Sequence, residues 1–106
     1  MIKTLVLVCT LFLTVQLPCQ VSHEHSYVPE EGFVPDKETA VKLARVVLEP
    51  IYGKKLLNEE KPLTATLDSN QVWIVKGTLH GRGSGGVALI HINKQDGKVL
   101  RVSHGK

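Results

Sequence analysis

The chain has 106 residues, of which 42% are hydrophobic and 22% charged, and its formal net charge is +3 at pH 7. This is the composition of an ordinary globular protein, and the length leaves room for one domain only. Both cysteines, Cys9 and Cys19, stand in the first nineteen residues, so the remainder of the chain has neither a disulfide nor a thiol nucleophile.

Residues 1–19 have the pattern of a secretory signal peptide. A short basic start containing Lys3 precedes an uncharged, apolar run over residues 4–17, and a proline ends that run. The run is shorter than a comfortable membrane-spanning helix. We therefore expect a periplasmic or secreted protein, cleaved near Cys19 or Ser22; an uncleaved N-terminal anchor is the alternative.

A lipid anchor on Cys19 is a competing prediction for the same segment. A lipoprotein signal has Leu three residues before the cysteine and Gly or Ala directly before it. Here Gln16 and Pro18 stand at those positions. The sequence therefore disfavours lipid attachment, and we expect no stable membrane insertion once the signal has been cleaved.

Residues 20–35 are predicted to form a flexible acidic tether. They contain Pro and Gly without a hydrophobic period, and three acidic residues without Lys or Arg. Within the tether, His23 and His25 are close enough to chelate a metal ion loosely. Two ligands on a mobile segment do not make a structural metal site, so we predict none.

Residues 36–106 are predicted to form one α+β domain, which opens with an amphipathic helix. Asp36 is a favourable N-cap, and Gly53 is a favourable C-terminal stop. Between them, apolar residues recur at intervals of three and four, as one face of a helix requires. This stripe consists of Ala40, Leu43, Ala44, Val47, Leu48 and Ile51. We expect it to lie on the sheet, with Ile51 and Tyr52 at the helix end.

A charged connection over residues 54–61, with room for one helical turn, leads to four β-strands. Each strand is a short run of apolar, β-branched or aromatic residues, and turn residues separate the runs. The strands are predicted over residues 63–67, 72–79, 87–93 and 98–103. The expected architecture is one amphipathic helix packed on a four-stranded antiparallel sheet. Trp73 is predicted in the core, and the alternative is an exposed anchor for a partner.

The loop over residues 81–86 literally matches the G-x-G-x-x-G pattern of dinucleotide sites. That pattern needs a following helix, whose N-terminus holds the pyrophosphate, and here a strand follows. The loop also lacks the Lys and Ser/Thr of a P-loop. We therefore predict no cofactor, and a hairpin connection with His80 and Arg82 at an exposed tip; an ordinary long loop is the alternative.

No catalytic motif is present in the chain. It contains neither an H-E-x-x-H metal motif nor a G-x-S-x-G nucleophile elbow. The adjacent pair Glu59 and Glu60 is predicted to be solvated charge rather than an acid/base pair. An enzyme would need His91 or His104 to meet a carboxylate from this pair or from Asp68. We therefore predict no catalytic residue and no metal ligand.

Positive charge is concentrated at the end of the chain. Residues 71–106 hold six basic residues and one acidic residue, a net charge of +5. Such a segment favours an acidic partner or an anionic envelope surface, and the export signal argues against nucleic acid. Scattered, solvated lysines on a sheet face are the alternative.

Several short segments of the domain occur in a characteristic order and spacing. They are Pro35-Asp36-Lys37-Glu38-Thr39-Ala40, Pro50-Ile51-Tyr52-Gly53, Lys61-Pro62, Val72-Trp73-Ile74-Val75-Lys76-Gly77, Gly85-Gly86-Val87, Ile92-Asn93-Lys94-Gln95-Asp96-Gly97-Lys98-Val99-Leu100 and His104-Gly105-Lys106. This order resembles the bacterial immunity-protein family with a nuclear-transport-factor-2-like fold, over about two thirds of the chain. The resemblance implies a reduced version of that fold and a protein that protects its producer by binding a cognate toxin of a polymorphic toxin system. It implies no catalytic residues.

Taken with the signal peptide, this resemblance predicts an exported immunity protein whose toxin acts in the periplasm or envelope. The expected contact surface is formed by His80, Arg82, Arg101 and His104. Because these residues are basic, we expect the toxin to be acidic where it makes contact. The alternative function is a small periplasmic binding module for a ligand or an anionic envelope component.

Overall fold

The computed structural model describes residues 25–81 and 85–105, and these form the predicted α+β fold. One main helix packs on a four-stranded antiparallel sheet. The elements are α1 (Lys37–Tyr52), α2 (Lys54–Glu59), β1 (Thr64–Leu67), β2 (Val72–Lys76), β3 (Ala88–Asn93) and β4 (Val99–His104). The predicted signal peptide, both cysteines, His23 and Arg82 lie outside the described residues.

Helix α1 begins and ends where its capping residues predict. The Asp36 carboxylate accepts a hydrogen bond from the Thr39 amide at 2.8 Å, and Gly53 ends the helix with a φ of +89°. Of the predicted stripe, three members are fully buried and two partly buried; the fully buried ones are Ala40, Ala44 and Leu48. The prediction for Ile51 is wrong, because its side chain is 54% exposed. The chain turns into α2 directly after α1, and Leu57 of α2 supplies the buried side chain at this end of the core.

The sheet is a meander in which each strand is paired with the next along the chain. The predicted turn at Asp68 is present: its carboxylate accepts hydrogen bonds from the amides of Asn70 and Val72, both at 2.9 Å. The turn between β3 and β4 contains Gly97 with a φ of +76°, a conformation that favours glycine. The β3–β4 register shifts at His91, so β4 bends there.

One face of the sheet lies against α1 and forms the core. Its strand residues are Ala65, Trp73, Val75, Ala88, Ile90 and Ile92, which alternate with residues pointing to the other face. The prediction for Trp73 is confirmed, since the side chain is 4% exposed. Its indole N–H donates to the Val34 carbonyl at 2.7 Å, which satisfies the only polar atom of the ring. The core therefore combines a large aromatic side chain with a fixed hydrogen bond.

The folded part of the chain begins before Asp36. Within the predicted tether, the amides of Phe33 and Val34 donate to the carbonyls of Gln95 and Lys94, each at 3.0 Å. The Val34 side chain is 2% exposed. A flexible tether is therefore the wrong description of these residues, because backbone pairing and one buried side chain hold them to the β3–β4 turn. Among the described residues, no helix has the length and apolar character needed to cross a membrane.

Candidate functional site

Three of the four predicted contact residues lie near the end of the sheet at which β2 ends and β3 begins, but they lie on two different faces of the sheet. We call this end of the sheet the loop end. His104 is paired with buried Ala88 and lies on the helix side, where His80 also lies. Arg101 is paired with His91 and points to the opposite face. Arg82 lies outside the described residues. The predicted surface is therefore divided by the sheet.

Glu60 is the central residue on the helix side of the loop end. It caps the C-terminus of α2, and the residue is 8% exposed. One carboxylate oxygen, Oε1, accepts a hydrogen bond from the Ala88 amide at 2.7 Å, and Oε2 lies 3.3 Å from Nε2 of His104. The prediction of solvated charge holds for exposed Glu59 but is wrong for Glu60. A buried carboxylate needs such partners, and these two fix the position of the group.

Gly77 makes this position of Glu60 possible. A Cβ atom at residue 77 would stand 2.5 Å from Oε1 of Glu60 and 2.8 Å from its Cβ, which is too close for any side chain. Backbone bonds hold the surroundings: the Gly77 amide donates to the Ala88 carbonyl at 3.0 Å, and the Thr78 amide donates to the Glu60 carbonyl at 2.8 Å. The sequence analysis missed this contact; a glycine at the end of a strand, which often marks a close approach of another group, is the signal that could have indicated it.

The side chains around Glu60 and His104 line a cleft of about 240 Å³. The ring of His104 stands 5.4 Å from that of Tyr52, centroid to centroid, and a ring nitrogen of His80 contacts the Lys61 carbonyl. The contact between His104 and Glu60 is of the kind, an imidazole against a carboxylate, that the sequence analysis expected an enzyme to need. In the described ranges, no group of three or more His, Cys, Asp or Glu side chains is placed to hold a metal ion.

The opposite face of the sheet carries a different set of side chains. We call it the open face; over β2, β3 and β4 its central residues are Ile74, Lys76, Leu89, His91, Arg101 and Ser103. The helix side of the sheet carries the core, so α1 does not lie on this face. A groove of about 300 Å³ runs over Leu89 between Lys76 and Arg101. Sequence reasoning identified Arg101 but missed Lys76, although strand alternation places both on one face.

Comparison with known proteins identifies relatives of the chain. Residues 39–106 match a protein family described as "NTF2 fold immunity protein". The chain is 39% identical over 76 residues to the uncharacterized protein YhhH of Escherichia coli K12, covering 71% of this chain and 59% of that protein. It is 36% identical over 74 residues to the uncharacterized protein YbbC of the same organism, covering 69% of this chain and 60% of that protein. The match therefore spans less than two thirds of the length of these curated relatives. No solved structure matches the chain.

Proposed function

Because the chain belongs to the NTF2 fold immunity protein family, we propose that it neutralises a cognate toxin of a polymorphic toxin system by binding it in a stoichiometric complex. The family match over residues 39–106 is the observation that carries this proposal. The matched residues include all four strands and nearly all of α1. Both faces of the loop end, with their cleft and groove, therefore belong to the part of the chain that the family shares.

The site of action is proposed to be the periplasm or the envelope. The pattern of residues 1–19 supports export, because a basic start, an apolar run and a terminating proline together are typical of a secretory signal. An exported inhibitor gives little protection against a nuclease in the cytoplasm. The toxin is therefore proposed to attack a target outside the inner membrane.

The toxin is proposed to meet the loop end of the sheet through an acidic surface. The basic excess of residues 71–106 supports this, because a net charge of +5 attracts an acidic partner and repels a basic one. His80, Arg101 and His104 lie around this end, and Arg82 stays a predicted contact. The proposed role is one of binding without catalysis. In support, both carboxylate oxygens of Glu60 already have partners within the fold, the Ala88 amide and His104.

The proposal is tested by expressing this protein with the toxin encoded by the neighbouring gene. In this experiment the toxin is expressed with an export signal of its own, and growth is followed after induction. The full chain is expected to restore growth, and a variant without residues 1–19 is expected not to, although both accumulate to equal levels. Unchanged toxin sensitivity with the full chain would sink the proposal. Equal protection by both variants would reject only the export step.

A second candidate function is a small periplasmic binding module for a ligand or an anionic envelope component. The specific observation in its favour is the cleft beside Glu60, where apolar Leu56 and Leu79 meet the polar side chains of Thr78 and His104. NMR titration of the protein with envelope fragments distinguishes the two functions. Saturable shifts confined to cleft residues, together with no binding to the neighbouring toxin, would favour the module.

A further inference from the structure

We infer that the open face, rather than the cleft side, is the surface that receives the toxin, and that it receives an acidic segment in which a carboxylate adjoins an apolar side chain. The inference rests on the proposed function and specifies its contact. The partner segment places its apolar side chain on Leu89 and an adjoining carboxylate against Lys76 on one side of Leu89 or Arg101 on the other.

The strand register builds this surface. Lys76 is paired with Leu89, and Leu89 with Ser103, so the three side chains stand side by side in one row across β2, β3 and β4. Arg101 lies two residues from Ser103 on the same strand and therefore points to the same face. Leu89 is the apolar centre of the row, and Lys76 is the cation at one end. Arg101 is a second cation, beside Ser103 at the other end. The groove of about 300 Å³ lies along it, which is enough room for one or two side chains of a partner.

Lys76 and Arg101 on the open face lack the carboxylate partners that three other cations of the described residues have. The strands contain no Asp or Glu, so no carboxylate stands in the row. Elsewhere on the described surface, Lys42 pairs with Glu38, Arg45 with Glu49 and Lys94 with Glu31. Within the same described residues, Lys76 and Arg101 form no ion pair, and both are exposed. Two unneutralised cations on either side of Leu89 attract the carboxylates of an acidic segment that crosses it.

The cleft side is the wrong surface for the same acidic segment. There His104 already lies against the Glu60 carboxylate, and Glu59 stands at the rim of the cleft. An incoming carboxylate would face two existing ones, which is a repulsive arrangement. Of the described residues predicted as contacts, Arg101 alone therefore lies on the receiving surface, and His80 and His104 lie behind it.

The test measures binding of the purified toxin domain encoded by the neighbouring gene to the full mature chain. The test variant is the double substitution Lys76→Glu and Arg101→Glu. Its matched control is Lys54→Glu and Lys55→Glu, which makes the same change in net charge at two exposed positions of α2. We expect the dissociation constant to rise at least about tenfold for the test variant and by less than about threefold for the control. Binding of the unaltered protein is expected to weaken as salt is raised.

Two further variants separate the charge from the apolar floor and from the cleft. Leu89→Ser removes the apolar centre of the row and is expected to weaken binding without changing its salt dependence. The pair His80→Ala and His104→Ala is expected to leave binding unchanged within about threefold. Circular dichroism and thermal unfolding establish that each variant is folded before binding is compared.

Each contrary outcome is distinct. Equal affinity of the Lys76/Arg101 variant and its control, with tight binding by the unaltered protein, overturns the inference and leaves the proposed function intact. Loss of binding only in the His80/His104 variant moves the contact to the cleft side and also overturns it. Absence of toxin binding by the unaltered protein overturns the proposed function itself. Binding of phosphatidylglycerol vesicles through Lys76 and Arg101, without toxin binding, assigns the face to an envelope surface instead.

Discussion

The two faces of the sheet treat charge in opposite ways. On the helix side, the carboxylate of Glu60, the one buried carboxylate among the described residues, is held by the Ala88 amide and by His104. On the open face, Lys76 and Arg101 extend into solvent and form no ion pair among the described residues. Polar groups that are satisfied within the fold contribute to its stability, whereas those left to solvent remain available to a partner. Mutations on the two faces should therefore differ in kind: those on the helix side change the free energy of unfolding, and those on the open face change binding.

The largest expected effect on stability is that of Trp73→Ala on the helix side of the sheet. The substitution removes a buried indole and its hydrogen bond to the Val34 carbonyl, so the free energy of unfolding should fall by about 3–5 kcal/mol. The matched change on the open face is Ile74→Ala at the neighbouring, half-buried position, with an expected loss of about 1 kcal/mol. Urea denaturation followed by circular dichroism measures both. Equal losses at the two positions would contradict the division between the faces.

The contact between Gly77 and Glu60 tests whether close packing on the helix side of the sheet contributes to stability. Gly77→Ala places a methyl group on the Glu60 carboxylate and should cost about 1–3 kcal/mol of stability. In a Glu60→Gly background, which removes both the carboxylate and the Cβ that stand too close, the methyl group has room, so the same change should cost less, and the two effects should not add. Gly105→Ala is the control, because a Cβ there meets nothing within 4 Å. Additive losses in the double variant would mean that Glu60 is not the obstacle.

On the open face, Lys76→Ala should change the free energy of unfolding by no more than about 0.5 kcal/mol, as is usual for an exposed side chain without a partner. The same protein should bind the toxin less tightly than the unaltered chain does. Thermal unfolding and calorimetric binding, measured on one preparation, give both quantities. A marked loss of stability would show that Lys76 contributes to the fold, contrary to the division between the two faces.

The smallest effect concerns Asp36, at the start of α1. The hydrogen bonds from Thr39 to its carboxylate hold the pKa of Asp36 below its ordinary value of 3.8. Because the folded-state pKa is the lower one, the stabilisation is present above the unfolded-state pKa and is lost as the pH falls through the folded-state pKa. A carbon-detected NMR titration should show the low pKa. Asp36→Asn keeps a capping oxygen and should remove this part of the acid dependence; a pKa at or above 3.8 would contradict the capping geometry.

The sequence predicted what depends on local pattern. The helix stripe, the hairpin turn at Asp68 and the burial of Trp73 follow from residue spacing and turn chemistry, so they could be placed without the structure. The position of residues 32–34 could not be predicted in this way. They are held by backbone hydrogen bonds to a turn some sixty residues away, and no local sequence pattern indicates so distant a partner. The prediction for Ile51 failed because the buried face at the end of α1 runs through Leu48 and Tyr52, four residues apart, and Ile51 lies beside that face.

The candidate site was only partly predictable for the same reason. Glu60 stands in a charged connection and looks solvated by its neighbours, but its environment is set by Ala88 and His104, which the sheet brings back from 28 and 44 positions away. Arg101 and His104 could have been separated in advance, since residues three apart on a regular strand point to opposite faces. The pairing of Lys76 with Leu89 depends on register across the β2–β3 loop, and the sequence of that loop does not determine it.

The attachment of residues 32–34 to the β3–β4 turn has a mechanical consequence. A Cβ at Gly32 would stand 2.5 Å from the Lys94 carbonyl oxygen, so the chain there runs directly against the turn. Tension applied through the preceding residues therefore enters the domain at Lys94 and at the indole of Trp73, rather than at the first turn of α1. The β3–β4 turn and the loop end are at opposite ends of β3, about 17 Å apart for a six-residue strand. A protein held by its N-terminal segment thus bears the strain at one end of the sheet and leaves the other end free to meet a partner.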